Sequence, residues 1–392
     1  MGATRAIVAA GLALACAGAV AQQREFLLGL LSQADDPRYE PQVLEKGYPE
    51  GPVGRSAAAA QLGLEDAVFT LDGAGWTKSR VLVREAPDAA ALPRALDELL
   101  RMGTRHVVLE LPAEGVAAVA AAARGKDVVL YNAAAPHDAL RGAGCAPNLL
   151  HTLPSHAMQA DAIAQLLAAR KWSRPLVLHG SSPADGLLLA AFQRSAKRFG
   201  LKPVAERPFK LSNDPRERDL GNVRLLTTER DYDAVVVLDA HGEFAREVPY
   251  RAILPRPVVG SSGLTAQAWS GWYERHGAPQ LHRRFLKKAG RAMGSYDWAT
   301  WIAARAAAEA AAAQPKGTPA QQLQALKGGL ALDGYKGQRL TFRPWDGQLR
   351  QPLMLAHGNG VAEVAPLEGF LHPKTALDTL GHDEPESGCK AR

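Results

Sequence analysis

Cysteine is scarce, with three in 392 residues. No CxxC pair and no HExxH occur, so the chain offers no sequence-level zinc site. No GxSxG elbow is present, which removes the usual nucleophile turn of an acyl hydrolase. Gly73-Ala-Gly75 lacks the third glycine and the strand–helix context of a dinucleotide fingerprint. The haem attachment CxxCH is missing as well. No catalytic residue, metal ligand or cofactor is therefore nominated. Charge of one sign is also wanting: Lys+Arg 46 against Asp+Glu 40 leaves +6. The basic residues sit in scattered pairs such as Arg283–Arg284 and Lys287–Lys288, not in a stripe, which argues against nucleic acid. Past the N-terminus no run reaches about 18 apolar residues; the alanine-rich Trp301–Ala313 is broken by Arg305 and Glu309.

What is there begins at the N-terminus. Arg5 precedes an unbroken small and apolar run, Ala6–Ala19, and Ala19-Val20-Ala21 supplies the small-x-small pattern read by signal peptidase. Cleavage before Gln22 and a periplasmic mature protein are expected. The alternative is lipoprotein processing at Cys16, for which the usual leucine three residues earlier is Ala13. Export leaves Cys145 and Cys389, and two thiols in an oxidising compartment suggest one disulfide across most of the chain; the alternative is two separate thiols.

Apolar content of 47% and charged content of 22% suit a chain that buries a core. The length suggests two or three domains at roughly 150 residues each. Short apolar runs recur at Phe26–Leu31, Arg80–Arg84, His106–Leu111, Asp127–Tyr131, Pro175–His179, Ala234–Leu238 and Pro257–Val259. Continuous Val/Leu runs of this length fit parallel strands covered on both faces. Helical patterns intervene at Leu92–Met102, Ser155–Ala169 and Pro183–Phe199, the last ending at Gly200. The alternation predicts doubly wound α/β architecture in two blocks. After Gly260 the pattern turns mostly helical (Leu264–His276, Gln280–Gly290, Tyr296–Ala313, Pro319–Lys327). Strands return at Arg339–Phe342, Leu353–His357 and Val361–Val364. Two lobes that exchange segments across a hinge would hold a ligand at the carboxyl ends of their strands.

This organisation resembles the type I periplasmic binding proteins, in the branched-chain amino acid receptor group of ABC importers. The resemblance is strongest in 127–140, 148–159 and 174–201. There a strand, a small-residue loop, a crossover strand, a helix opening with Ser155 and Gln159, and a second-lobe strand and helix follow in order. A closer resemblance is to a subgroup of substrate-binding proteins from ABC systems linked to PQQ-dependent alcohol dehydrogenases. It rests on Asn213-Asp-Pro-Arg216, Pro249-Tyr-Arg251, 254–260, 342–350, 366–373, Leu377-Asp-Thr-Leu-Gly381 and Asp383-Glu-Pro-Glu-Ser387. The resemblance implies a two-lobed α/β fold, each lobe a parallel sheet flanked by helices, with a hinge of crossover strands. After the signal (1–21), the N-terminal lobe would take 22–147 and 262–335. The C-terminal lobe would take 148–261 and 336–366, leaving 367–392 as an extension. It also implies a monomer that binds a small molecule without turnover and delivers it to an inner-membrane permease. A sensor or accessory protein of alcohol oxidation without transport is the alternative, and a hydrolase the remote one.

The departures bear on the ligand. Amino acid receptors of this group grip a zwitterion with Ser/Thr-rich loops, aromatic lids and an acidic residue. Here the first loop reads Glu110-Leu-Pro-Ala-Glu114 and the second Asn132-Ala-Ala-Ala-Pro136. A zwitterion buried without counter-charges costs several kcal/mol, so a standard amino acid is not expected. A neutral alcohol-derived or aromatic compound is, or something that the neighbouring oxidation system makes or needs. Strand ends nominate Asn132, Ala133 and Ala134, then Gly180, Ser181 and Ser182, then Asp239 and His241, and Ser261 and Ser262. Ser155 opens a helix where backbone N–H groups and a hydroxyl could hold an oxygen anion. Trp269, close after the 260–263 loop, could wall the pocket, although core packing is the usual role of tryptophans at i, i+3. The long 32–54 connection, with Asp35, Asp36, Tyr39 and Glu40, should lie at the cleft mouth.

Overall fold

The computed structural model describes residues 24–48 and 51–390. The expected export signal, its cleavage before Gln22 and the alternative at Cys16 lie outside them. The first lobe is built on β1 (Arg24–Gln33), β2 (Trp76–Ala86), β3 (His106–Glu110), β4 (Val129–Asn132) and β5 (Leu149–His151). They form one parallel sheet in the order β2-β1-β3-β4-β5. Its helices are α1 (Pro41–Lys46), α2 (Ala57–Asp66), α3 (Val68–Gly73), α4 (Leu92–Arg101) and α5 (Ala113–Ala122). The second lobe carries α6 (His156–Ala169), α7 (Pro183–Arg198), α8 (Val223–Leu226) and α9 (Val248–Arg251). Its parallel sheet joins β6 (Pro175–His179), β7 (Ala205–Pro208), β8 (Ala234–Leu238) and β9 (Val258–Gly260) in the order β7-β6-β8-β9. Every residue of β3 and β8 is buried, the signature of strands covered on both faces. The edge strand β2 alternates instead and keeps Lys78, Arg80 and Glu85 in water, which discourages edge-to-edge pairing.

Local chemistry sets the helix starts. Ser155 caps α6 through the Met158 amide. Ser182 and Asp185 form a capping box on α7, with Pro183 in its first turn. Beyond β10 (Thr265–Gln267) the chain continues through α10 (Ala278–Ala289), α11 (Ser295–Ala313), α12 (Pro319–Lys327), β11 (Leu332–Asp333), β12 (Arg339–Leu340), β13 (Leu353–His357) and β14 (Gly360–Ala365). Helix α11 is apolar nearly all round and accordingly buried. It meets α2 at Gly63, where a Cβ would lie 2.6 Å from the Trp301 carbonyl oxygen, so only glycine fits. The helix expected over Leu264–His276 is not formed. Residues 265–267 pair antiparallel with β13, and that distant partner overrides the local helical spacing. Trp269 is consequently not helical; it stacks on Trp298 in the core, centroids 6.4 Å apart.

Core membership shows where the chain changes lobes. Leu153, Ala268 and Leu349 belong to the first-lobe core, whereas Met158, Ala266 and Leu353 belong to the second. The C-terminal segment crosses the same boundary. Leu377 packs into the first core and Leu380 into the second. Buried Asp378 accepts Nε of both Arg343 and Arg350 at 2.8 Å. Buried Asp161 of α6 accepts the Gly381 amide (2.7 Å), Ser195 Oγ (2.6 Å), and the guanidinium groups of Arg194 and Arg198. Cys145 and Cys389 are joined as a disulfide. Residues 377–389 thus strap the second lobe and the hinge to the β4–β5 connection of the first.

Candidate functional site

A cavity of about 310 Å³ lies between the lobes at the carboxyl ends of both parallel sheets, the place expected for open α/β sheets. The first lobe contributes Pro112–Glu114 beyond β3 and Ala134–His137 beyond β4. The second contributes Leu238–Ala240 at the end of β8, Gly260 and Ser261 at the end of β9, and one face each of α6 and α7. Ile163, Leu187, Leu188 and Phe192 make that helical wall apolar. Gly260 is obligatory: its φ is +112°, and a Cβ would sit 2.2 Å from the Val237 carbonyl oxygen. At the rim the lobes touch. Lys46 pairs with Glu243, and Tyr48 lies against Gly242 and beneath the Arg246 guanidinium.

Of the nominated residues, Ala134, Asp239 and Ser261 line this cavity. Two of them also serve locally: Ser261 Oγ accepts the Asp239 amide, and the Asp239 carboxylate accepts the amides of His241 and Ala245. Asn132 and Ala133 sit one layer deeper. The Asn132 side chain holds the loop by accepting the Ala134 and Ala135 amides and donating to the Ala135 carbonyl. Ser155 and Ser182 are spent as helix caps. Gly180 packs against the Asp185 carboxylate, Ser181 and His241 are exposed, and Ser262 is buried away from the lining. Trp269 lies in the core behind its lining neighbour Ala268.

Strand-end reasoning missed the groups that give the cavity its polarity. Arg38 from the 32–54 connection lines it, ion-paired to buried Asp36 at 2.6 Å and donating to the Ala134 carbonyl. Burial pulls the Arg38 guanidinium down most strongly, but its hydrogen bonds to Asp36 together with the charges of Tyr296, Tyr39 and Asp36 outweigh that and raise its pKa. Glu110, whose place in the first cleft loop lacks a hydroxyl, points away: it accepts Tyr39 Oη and the Ser56 amide, and burial raises its pKa. His137 and His156 line the cavity with ring centroids 5.5 Å apart. Burial lowers both, His156 to about 4, so both imidazoles are neutral near pH 7. A signal for them did exist, since His137 follows the β4 loop by a few residues and His156 follows the capping serine.

No protein-family model matches this chain, and no curated protein matches it by sequence. Solved structures do. A branched-chain amino acid ABC transporter periplasmic ligand-binding protein from Burkholderia xenovorans LB400 superimposes with TM-score 0.71 at 17% identity, covering 93% of this chain and 99% of that one. An ABC transporter solute-binding protein from R. palustris in complex with benzoate gives 0.64 at 13% identity, covering 93% and 99%. A solute-binding protein from Rhodopseudomonas palustris BisB5 in complex with 3,4-dihydroxybenzoic acid gives 0.58 at 16%, covering 85% and 93%. At such identities the shared feature is the fold: this chain has the two-lobed α/β fold of the type I periplasmic binding proteins.

Proposed function

We propose that the chain is the periplasmic solute-binding component of an ABC import system, closing its lobes on a compact, largely apolar organic molecule without making or breaking a bond. The observation that carries this reading is the cavity walled by both lobes at the carboxyl ends of both sheets. A ligand touching both walls favours the closed arrangement by its differential contacts. A cavity of about 310 Å³ lies at the small end for ligand sites. Its apolar helical wall suits an aromatic ring. Arg38 is engaged by Asp36, so the cation that would receive a zwitterion's carboxylate is already paired. Two neighbours in fold were solved with aromatic acids, which supports an aromatic ligand.

The link to PQQ-dependent alcohol oxidation rests on the resembling segments. Two of them, 342–350 and 377–381, meet in the Arg343–Asp378–Arg350 cluster of the strap, so this likeness concerns the hinge more than the cavity. Mass spectrometry of material co-purifying after gentle lysis, together with thermal shifts, tests the reading. Benzoate or benzyl alcohol should raise the melting temperature and leucine should not. A shift with micromolar leucine, or an amino acid as the co-purified species, would overturn it.

A further inference from the structure

His137 and His156 share a deficit at the cavity wall. The Nδ1 atom of each is buried and has no hydrogen-bond partner among the described residues, while the Gln159 side chain lies close enough to the His156 ring to favour its charged form. An orphaned buried polar atom costs about 1–3 kcal/mol; of the thirteen among the described residues, these two alone belong to residues that line the cavity. Two on adjacent rings lining one cavity mark a place where a polar group of the ligand belongs. A neutral imidazole nitrogen either donates or accepts, and an imidazolium donates from both.

Behind these rings Arg141 and Asp138 carry opposite charges. Arg141 is only 5% exposed. Its donors go to the Gln348 side chain (2.8 Å) and to the carbonyls of Ala135 (3.0 Å), His137 (3.0 Å) and Leu153 (2.8 Å). None of these acceptors is a carboxylate, and Ala135, His137 and Leu153 all line the cavity. A guanidinium without a bonded counter-ion therefore stands one layer behind the wall. Burial lowers its pKa to about 10, which leaves it cationic at neutral pH. Asp239 lines the opposite wall with its carboxylate on backbone amides, and buried Asp346 faces Arg141. Arg38 is bound to Asp36. Asp138 accepts the Ala157 amide and lies 4.0 Å from His382. Glu114 sits exposed at the rim.

We propose that His137 and His156 receive the carboxylate of a monoanionic aromatic acid, with Arg141 supplying positive charge from behind the wall. This rests on the reading of the cavity as an apolar solute site and narrows it to the acid over the alcohol of the same skeleton. A carboxylate against the rings favours their charged form, so binding takes up a proton. Held neutral in the unliganded cavity, one imidazole protonates as the anion enters, so that imidazolium and Arg141 stand against the carboxylate and Asp138.

Isothermal titration of the full chain with benzoate, in buffers of different ionisation enthalpy, measures that proton directly; benzyl alcohol is the neutral control. Uptake approaching one proton is expected, with benzoate affinity rising by up to about tenfold per pH unit as pH falls from about 8 to 6. Benzyl alcohol should bind more weakly and independently of pH. His137→Gln combined with His156→Gln should abolish the pH dependence and weaken benzoate at least about tenfold while sparing the alcohol. The wild-type proton count stands even if that variant folds poorly. Benzoate binding with no proton uptake would overturn the histidine assignment and leave the apolar-site reading intact. Preference for the alcohol would overturn the carboxylate. Binding of neither would overturn the ligand class itself.

Discussion

Removing the Cys145–Cys389 bond perturbs the strap without touching the cavity. The bond spans a sequence separation of 244 residues. In the chain-entropy description, a loop of that length restricts the unfolded chain by about 5 kcal/mol at 25 °C, which is a ceiling because denatured chains retain structure. The folded side changes little. Leu377 and Leu380 remain in the two cores, Asp378 still receives Arg343 and Arg350, and Asp161 still receives the Gly381 amide. The Cys145→Ser/Cys389→Ser variant should therefore retain its ligand response and lose about 2–5 kcal/mol of unfolding free energy. Urea titration followed by both circular dichroism and tryptophan fluorescence is the assay, since coincident transitions show whether the lobes unfold together. Reduction of the wild type should reproduce the variant's midpoint. An unchanged midpoint in both would refute the reasoning, because the strap would then be held wholly by its buried ion pairs.

Asp161 is fully buried beneath Arg194, Arg198, Ser195 and the Gly381 amide; Asp161→Ala should cost about 3–5 kcal/mol, read by chemical unfolding. Lys336 is buried with only neutral acceptors, Gln351 and the Pro352 carbonyl, and sits 3.5 Å from the Trp298 ring centroid. Burial holds its pKa well below that of the unfolded chain, so wild-type stability should climb with pH in the alkaline range. Lys336→Met should be at least as stable near neutrality and flatten that climb, checked by unfolding midpoints across pH. His106, bonded to Tyr131 Oη and Gln322 Oε1, has a pKa lowered by burial to about 4, as has His156. Between about 4 and the ordinary 6.5 the unfolded chain binds more protons, so stability should fall as pH drops through that window, and His106→Gln should blunt the fall.

The strands that the sequence predicts best are those whose surroundings are simplest. Pro175–His179 and Ala234–Leu238 are apolar without interruption because helices cover both faces of their sheet, and their bounds match the structure. Residues 265–267 could not be read so, since their partner, β13, lies nearly ninety positions on and no local pattern announces it. The cavity divides in the same way. A rule based on strand ends reaches Ala134, Asp239 and Ser261, because backbone topology alone carries those positions there. It also nominates Ser155 and Ser182, whose hydroxyls turn inward to cap helices, and a hydroxyl at a helix start serves the nearest free amide first. The apolar wall of α7 depends on which helical face the other lobe approaches. The polarity depends on a subtler fact still: Arg141 satisfies its donors with carbonyls that belong to the lining, and finds no carboxylate to bond. A sequence displays Arg141 and Asp138 but not that they sit near one another without a direct bond, so the charges around the ligand emerge only once the chain is folded.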